Sequence, residues 1–389
     1  MGGDTIQQRY FDYNATTPVA PEVLEAMLPY LTDSWGNPSS VYAFGHDTAK
    51  VMVEARESVA DLIGAFPGEV VFTSCGTESI NTALWSGLKS DRSRRHVLMS
   101  AVEHPANLSL VPMLEEAGCR VTILPVLESG LLDLKLVEEA IQPDTALLSI
   151  MWANNETGVV MPVEELGSIC RRRGILFHCD AVQAAGKVPL DVAKAKVDYL
   201  SLSGHKIYAP KGVGALYVRN GAPFTSLIAG GGQESGRRAG TQNVASIAAL
   251  GKAAQLSLAS LESEASRLAS LRDRLEAVCM EKWGALRNGD AQARVPNTAN
   301  LSFDGLESEA LLLLLERKGI CASSGSACST GSIEPSHVLM AMGCSRSRAL
   351  GSVRLSLGRG TQASDVDYLL DVLPGMIDRL RGVTPSVSR

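Results

Sequence analysis

The stretch SLSGHKIYAPKG, residues 201–212, joins the end of an apolar run to a loop of small and polar residues, and Lys206 lies at the junction. The preceding run, DYLSL, is typical of a buried strand. Burying an unpaired ammonium is costly, so a lysine at such a strand end is expected to be shifted toward its neutral form. A neutral amine can form a Schiff base. The alternative, an exposed lysine in a glycine-rich loop, is the commoner fate of a single lysine.

A second polar residue, Asp180, follows the upstream apolar run in ILFHCDAVQAAGK, residues 175–187. Enzymes that use pyridoxal phosphate need a carboxylate on the pyridinium nitrogen, because only the protonated ring is a strong electron sink. An aspartate after a strand is also a common helix cap, so Asp180 alone does not decide between the two roles. A strand-end aspartate followed by a strand-end lysine together indicate pyridoxal phosphate chemistry.

Composition limits the class of protein. The chain has 389 residues, of which 45% are hydrophobic and 20% are charged, and its net charge is -6. We expect a globular chain of two domains with no membrane span, no secretory signal and no broad nucleic-acid binding. Its eight cysteines form no CxxC pair and no zinc-like spacing. This usage predicts a reduced, cytoplasmic protein without a metal site.

Short apolar runs alternate with helix-like segments over much of the chain. The runs are EVVFT, HVLMSA, RVTILPV, ALLSIMW, GILFHCD and DYLSLS. This alternation predicts an α/β fold with a large, mostly parallel sheet. A segment from Val244 to Trp283, rich in Ala, Leu and Glu, predicts one long helix leading to a smaller α+β domain. The predicted large domain is residues 16–243, and residues 1–15 and 244–389 form the smaller one.

Polar residues at other strand ends complete a candidate site, because ligands of such sheets collect at the carboxyl ends of the strands. In SCGTES, the backbone N–H groups of Gly76 and Thr77 can hold a phosphate at a helix N-terminus. His104 can stack on an aromatic cofactor and exchange protons, and Asn155 can offer an amide to a substrate carboxylate. Each also has an ordinary structural role, as a helix cap, a loop residue or a turn residue.

One cysteine differs from the others in its surroundings. Cys328 lies in ASSGSACSTGS, a run so rich in Ser and Gly that it is expected to pack poorly and to leave the thiol accessible.

These motifs together resemble the cysteine desulfurases of the NifS/IscS type, which are fold-type I pyridoxal phosphate enzymes of the class-V aminotransferase superfamily. The matching segments, in order, are YFDYNATTP, NPSS, TSCGTES, EHPAN, ANNETG, HCDAVQ, SGHKIYAPKG, GGGQESGRRAGT, SSGSACSTG and VRLSLGR. They extend over nearly the whole chain. The long segment after Ser324 is similar to the NifS/IscS group rather than to the SufS group.

The resemblance implies a role for each matching residue. Lys206 would bind the cofactor, and Cys328 would take sulfur from L-cysteine as a persulfide, for delivery to an iron–sulfur scaffold or thiolation protein. The other implied roles are ring stacking by His104, ring-nitrogen pairing by Asp180, ring-hydroxyl bonding by Gln183, phosphate binding by Thr77, Ser203 and His205, and carboxylate binding by Arg354 with Asn155. Thr241 would reach the phosphate of the neighbouring subunit in a homodimer.

Other interpretations stay open on the residues alone. The chain can be another enzyme of the superfamily, such as a small-substrate aminotransferase or a selenocysteine lyase. It can also be a thiol hydrolase that uses Cys328 with His337, or a catalytically silent sulfur-transfer scaffold. Two residues depart from the family pattern, namely Tyr42, where a histidine is frequent, and Cys75, where glycine or alanine is frequent.

Overall fold

A computed structural model of the chain describes residues 8–324 and 334–383. Cys328, the predicted sulfur acceptor, lies outside the described residues.

The strands of the described residues are short and lie mainly in one sheet. They are β1 Arg9–Tyr10, β2 Val70–Thr73, β3 His96–Ser100, β4 Arg120–Leu124, β5 Thr145–Met151, β6 Leu176–Asp180, β7 Tyr199–Ser203, β8 Gly214–Val218, β9 Leu286–Arg287, β10 Thr298–Ser302, β11 Ile320–Cys321 and β12 Ser352–Ser356.

The described residues also form fifteen α-helices. They are α1 Pro21–Met27, α2 Pro29–Thr32, α3 Ala43–Ile63, α4 Gly76–Ser90, α5 Pro105–Leu108, α6 Val111–Glu116, α7 Leu134–Ala140, α8 Val163–Arg173, α9 Val192–Ala195, α10 Val244–Ala259, α11 Leu261–Trp283, α12 Ser308–Glu316, α13 His337–Ala341, α14 Arg346–Leu350 and α15 Ala363–Val383.

The large sheet has seven strands in the order β2-β8-β7-β6-β5-β3-β4. Strands β3 to β7 run parallel, whereas β8 is antiparallel to both of its neighbours. The α/β prediction with a mostly parallel sheet is therefore confirmed, and the six predicted strands all lie in this sheet. Because β3, β5, β6 and β7 are parallel, the polar residues that follow them meet at one edge. The sequence interpretation missed β8, whose pattern GALYV begins with a glycine.

A smaller group of elements packs around a separate apolar core. Strands β12, β10 and β9 form an antiparallel sheet, and the two-residue strands β1 and β11 pair in parallel. The core contains the fully buried Phe11 near the N-terminus together with residues of α11, α12 and α15, such as Leu275, Leu311 and Leu369. The N-terminal segment thus packs with the last third of the chain.

The prediction of one long helix from Val244 to Trp283 is wrong. The segment forms α10 and α11, which meet at an angle of 70°. Ser260 lies between them, and its hydroxyl donates to the carbonyl of Leu256 at 2.8 Å. Such back-bonding competes with the helical hydrogen bonds and bends or ends a helix. As a result, α10 packs in the core of the large sheet, whereas Leu268 and Leu275 of α11 pack in the smaller core.

The segment PEVLEAMLPYL, residues 21–31, forms two short helices. α1 ends at Met27 and α2 begins at Pro29, a residue that has no N–H to donate within a helix.

Among the described residues, none of the helices is by itself long and apolar enough to cross a membrane.

Candidate active site

A cavity of about 400 Å³ opens at the carboxyl edge of the large sheet. Ten of the twelve predicted site residues line it: Gly76, Thr77, His104, Asn155, Asp180, Gln183, Ser203, His205, Lys206 and Arg354. Thr241 lies on a different surface, and Cys328 lies outside the described residues. The cavity therefore brings together predicted residues that are up to 278 positions apart in the chain, from Gly76 to Arg354.

Lys206 ends a short turn, Gly204–Lys206, directly after β7. Its Nζ donates to the carbonyl oxygens of Asn14 at 2.5 Å and Ala15 at 2.6 Å. Burial, helped by the positive charge of Arg354, lowers the pKa of this amine to about 8. A useful fraction of the amine is therefore neutral near neutral pH, as nucleophilic attack on an aldehyde requires.

Asp180 is the last residue of β6, the strand beside β7, and is almost fully buried. Its Oδ1 accepts a hydrogen bond from the backbone of Val182 at 3.0 Å. Burial raises the pKa of the carboxyl to about 6, although the charge of Lys206 acts in the opposite direction. The carboxylate is therefore mostly ionised at neutral pH and can pair with a protonated ring nitrogen.

The first turn of α4 closes one end of the cavity. Among the described residues, no side chain caps this helix at Cys75, so its first N–H groups stay open to a ligand. A Cβ on Gly76 would lie 2.8 Å from Val182 Cγ2, so this close approach needs glycine. A 15-residue helix with a free N-terminus facing Ser203 suits a phosphate.

His205 also lines the cavity. Its Nδ1 is 3.1 Å from the Thr16 hydroxyl, and burial with the charges of Lys206 and Lys211 lowers its pKa to about 4. The imidazole is therefore neutral at neutral pH. It can contribute an N–H to a phosphate, but not a charge.

His104 follows β3 and begins α5. Its Nδ1 accepts a hydrogen bond from the backbone N–H of Ala106 at 3.1 Å, so a neutral ring carries its proton on Nε2. Burial, with the charges of Lys206 and His337, lowers its pKa. The ring thus serves as a helix cap through one nitrogen and leaves Nε2 available for proton exchange.

Arg354 of β12 is already bound on two of its nitrogens. One Nη donates to Asp12 Oδ1 at 2.7 Å and the other to the carbonyl oxygen of Asn155 at 3.0 Å. Its buried Nε has no partner among the described residues. Asn155 therefore contacts Arg354 through its backbone, and an incoming carboxylate has to share the guanidinium with Asp12, which sequence reasoning missed.

Asn14 connects the site residues and was also missed. Its backbone oxygen accepts from Gln183 Nε2 at 2.8 Å as well as from Lys206. Its side-chain Oδ1 accepts from Lys187 Nζ at 3.1 Å and from Asn297 at 3.1 Å. The motif YFDYNATTP contains this residue, but its partners lie up to 342 positions away, so no local pattern identifies the contacts.

A buried carboxyl lies behind His104. Glu103 is fully buried and accepts hydrogen bonds from the Ser100 hydroxyl at 2.5 Å, from the Met151 backbone at 3.0 Å and from the Asn107 amide at 3.0 Å. Burial raises its pKa to about 8. These contacts hold the ends of β3 and β5 together and so fix the backbone that carries His104.

Thr241 lies outside the cavity, on a groove that it shares with Leu31 and Trp35. The loop that carries it is joined to helix α3 by an ion pair between Glu234 and Arg56 at 2.8 Å. Glu234 also accepts a hydrogen bond from the backbone of edge strand β2, and its φ is 49°, in the left-handed region. The loop position is thus determined by contacts strong enough to hold a strained backbone.

The two departures from the family pattern have different surroundings. Cys75 lines the cavity at its α4 end, next to Gly76. Tyr42 precedes α3 and is 56% exposed, away from the cavity lining.

Comparison with known proteins shows the family of the chain. Residues 9–369 match the aminotransferase class-V family. The chain belongs to this family. A cysteine desulfurase of Trichormus azollae is 51% identical over 377 residues, which cover 97% of this chain and 94% of that protein.

Solved structures are also similar to this chain over most of its length. A NifS-like protein has a TM-score of 0.90 and 38% identity, covering 96% of this chain and 100% of that one. A structure of SspA in complex with cysteine has a TM-score of 0.80 and 38% identity, covering 90% of this chain and 99% of that one. The predictions of a fold-type I fold, of pyridoxal phosphate as cofactor and of the cysteine desulfurase type are confirmed.

The lowered pKa of Lys206 generates a test. When the cofactor-free protein is mixed with pyridoxal phosphate, the rate at which the visible band forms should rise with pH and reach half its maximum near the pKa of about 8. A free lysine would require a pH above about 10. Stopped-flow absorbance measures the rate, and borohydride reduction with peptide mapping locates the label. A half-maximum near the free-lysine value, or a label on Lys211, would contradict the assignment.

Proposed function

We propose that the cavity binds pyridoxal phosphate on Lys206 and converts L-cysteine to L-alanine, with transfer of the sulfur to Cys328. The observation that carries the proposal is the pair Asp180 and Lys206 at adjacent strand ends, facing one cavity. Burial shifts both pKa values toward neutrality. This combination suits a carbonyl cofactor with a basic ring nitrogen.

The donor set of the cavity fits this cofactor along its whole length. The free first turn of α4 and Ser203 would hold the phosphate, and Asp180 would pair with the ring nitrogen. His104 would cover the ring, and Gln183 would donate to the ring oxygen. Bound there, pyridoxal phosphate supplies an electron sink that stabilises negative charge at the substrate Cα.

Proton transfer is assigned to Lys206. Its Nζ lies against the carbonyl oxygens of Asn14 and Ala15, which orient the amine and accept its N–H groups. An amine with a pKa of about 8 can accept the Cα proton near neutral pH and return it later. His104 Nε2, whose partner nitrogen is occupied by Ala106, offers a second proton-exchange site.

Substrate binding is assigned to Arg354. Its Nη groups can bind the carboxylate of L-cysteine, while Asp12 and the Asn155 carbonyl hold the guanidinium plane in place. The amide of Asn155, which also lines the cavity, is proposed to assist.

Sulfur transfer is assigned to Cys328. Its thiolate attacks the substrate sulfur, an S–S bond forms, the C–S bond breaks, and the substrate carbon takes up a proton to give alanine. The persulfide is proposed to pass to an acceptor protein, such as an iron–sulfur scaffold or a thiolation protein, in the cytoplasm.

We also propose that the chain has two domains. The large domain is residues 16–243, and the smaller one is residues 1–15 together with residues 244–389.

A homodimer is proposed from the surface around Thr241. Trp35 is 70% exposed, Leu31 is 58% exposed and Val41 is 90% exposed, and Leu31 and Trp35 line one groove with Thr241. Two large apolar side chains this exposed on one groove are typical of a protein interface. A second copy of the chain that covers this region would receive the Thr241 hydroxyl next to its own phosphate site.

The roles of Lys206 and Cys328 can be separated because the two residues act at different steps. Lys206→Ala should stop abstraction of the Cα proton and therefore alanine formation. Cys328→Ser should still bind cofactor and change its spectrum with L-cysteine, but should form alanine at least about 100-fold more slowly, because a hydroxyl is a far poorer nucleophile toward sulfur. Absorbance and amino-acid analysis measure the two steps.

Two controls belong to this experiment. Lys211→Ala and Cys344→Ser should keep the parent rate, since neither residue lines the cavity. If Cys328→Ser formed alanine as fast as the parent, another thiol would have to accept the sulfur. The first candidate would then be Cys75, which lines the cavity, rather than Cys321, which pairs with β1.

The proposed dimer makes Thr241 part of the partner's phosphate site. Thr241→Val should keep the dimer and raise the dissociation constant of pyridoxal phosphate about tenfold, the effect of one lost hydrogen bond to a charged group. Thr225→Val is the matched control and should have no effect. Light scattering gives the oligomeric state and equilibrium dialysis the affinity. A monomer with full activity would refute the dimer.

A further inference from the structure

Lys187 is a second lysine behind the cavity, and none of the roles above uses it. It comes four residues after Gln183, at the end of HCDAVQAAGK. Its Nζ donates to Gln183 Oε1 at 2.5 Å and to Asn14 Oδ1 at 3.1 Å. Both partners line the cavity, although Lys187 itself does not.

The surroundings of Lys187 disfavour a charge. Burial and the nearby cations Lys206 and Arg354 hold the pKa of its amine well below the usual range. A neutral amine has two N–H groups, and Lys187 has two oxygen acceptors. The contacts thus match a neutral hydrogen-bond donor, not an ion pair.

These contacts determine which way the amide of Gln183 points. The carbonyl oxygen of Asn14 can only accept, so the amide nitrogen of Gln183 faces it and the amide oxygen faces Lys187, whose amine donates to that oxygen. The amide nitrogen then donates one hydrogen to the carbonyl of Asn14 at 2.8 Å and keeps its second N–H. In the reverse orientation the amide oxygen would face the Asn14 carbonyl, and the amide N–H groups would face the lysine. Gln183 therefore offers the cavity a donor.

We propose that Lys187 is a positioning residue that holds the amide of Gln183 with an N–H directed at the ring oxygen of pyridoxal phosphate. The inference deepens the proposed function and rests on the assignment of Gln183 to that oxygen. Lys187 acts on Lys206 as well, because it also holds Asn14, whose carbonyl oxygen accepts from Lys206 Nζ.

The physical effect of a fixed donor is on the proton affinity of the ring oxygen. A hydrogen bond to the ionised oxygen stabilises that form, so its loss makes protonation easier. In the cofactor-loaded protein, the pH at which the visible band changes should therefore move upward when the donor is no longer held in place. A residue that only filled space would leave this midpoint unchanged.

The experiment is a pH titration of the visible absorbance of the cofactor-loaded protein. Lys187→Met keeps the length and apolar stem of the side chain but removes both donors. We expect the midpoint to rise by about one pH unit, which corresponds to one hydrogen bond, and the dissociation constant of pyridoxal phosphate to rise about tenfold. Lys135→Met, at a lysine that is 83% exposed on α7, is the matched control and should change neither value.

Gln183→Ala separates the two assignments. Alone, it should shift the midpoint in the same direction, and Lys187→Met should add little in its background, because both changes remove one interaction. Thermal unfolding of the cofactor-free variants checks that they fold. If Lys187→Met does not fold, Lys187→Gln, whose shorter side chain holds its donors farther from both oxygens, should still raise the midpoint.

Three outcomes would overturn the inference. A parent-like midpoint in a folded Lys187 variant would show that the lysine does not hold the amide. Fully additive shifts in the double variant would show that it acts by another route. A parent-like midpoint in Gln183→Ala would overturn the assignment of Gln183 and, with it, the route from Lys187, while the roles of Lys206 and Asp180 would stand.

Discussion

The buried amide of Asn14 is the junction on which the site depends. Its side chain is bound to Lys187 and Asn297, and it donates to the Thr298 hydroxyl at 2.8 Å and to the Asn155 carbonyl at 3.1 Å. Its backbone oxygen holds Lys206. A buried polar group left without partners is costly, so these bonds have to form together. They fix the N-terminal segment against both the large sheet and the small one, and they orient the reactive amine as a consequence.

The parallel sheet then concentrates the chemistry at one edge. Asp180 of β6 is paired in register with Ser201 of β7. Parallel pairing therefore brings the residues at the carboxyl ends of the two strands close together. Burial shifts the pKa values of the two side chains in opposite directions. It raises the pKa of Asp180 and lowers the pKa of Lys206. Exclusion from water thus leaves Lys206 partly neutral near neutral pH, whereas Asp180 stays mostly ionised because its raised pKa of about 6 still lies below 7.

Much of this was predictable from the sequence, for physical reasons that differ by residue. Lys206 and Asp180 were found because a charged residue directly after a buried strand is unusual. The sequence did not identify Asp12, Glu103 and Lys187 as site residues. Their partners are distant in the chain, or they lie in loops without a recognisable pattern. The bend at Ser260 was missed because a serine hydroxyl that bonds to its own helix leaves no trace in apolar periodicity.

The central claim is that sulfur leaves L-cysteine and is held on Cys328. The most direct test treats the cofactor-loaded protein with one equivalent of sulfur-labelled L-cysteine, blocks all thiols with an alkylating reagent, and measures the mass of every cysteine peptide. The account predicts one extra labelled sulfur atom on the peptide that contains Cys328, together with an equal amount of alanine. Label on the peptide of another cysteine, or alanine with free sulfide and an unmodified Cys328, would contradict it.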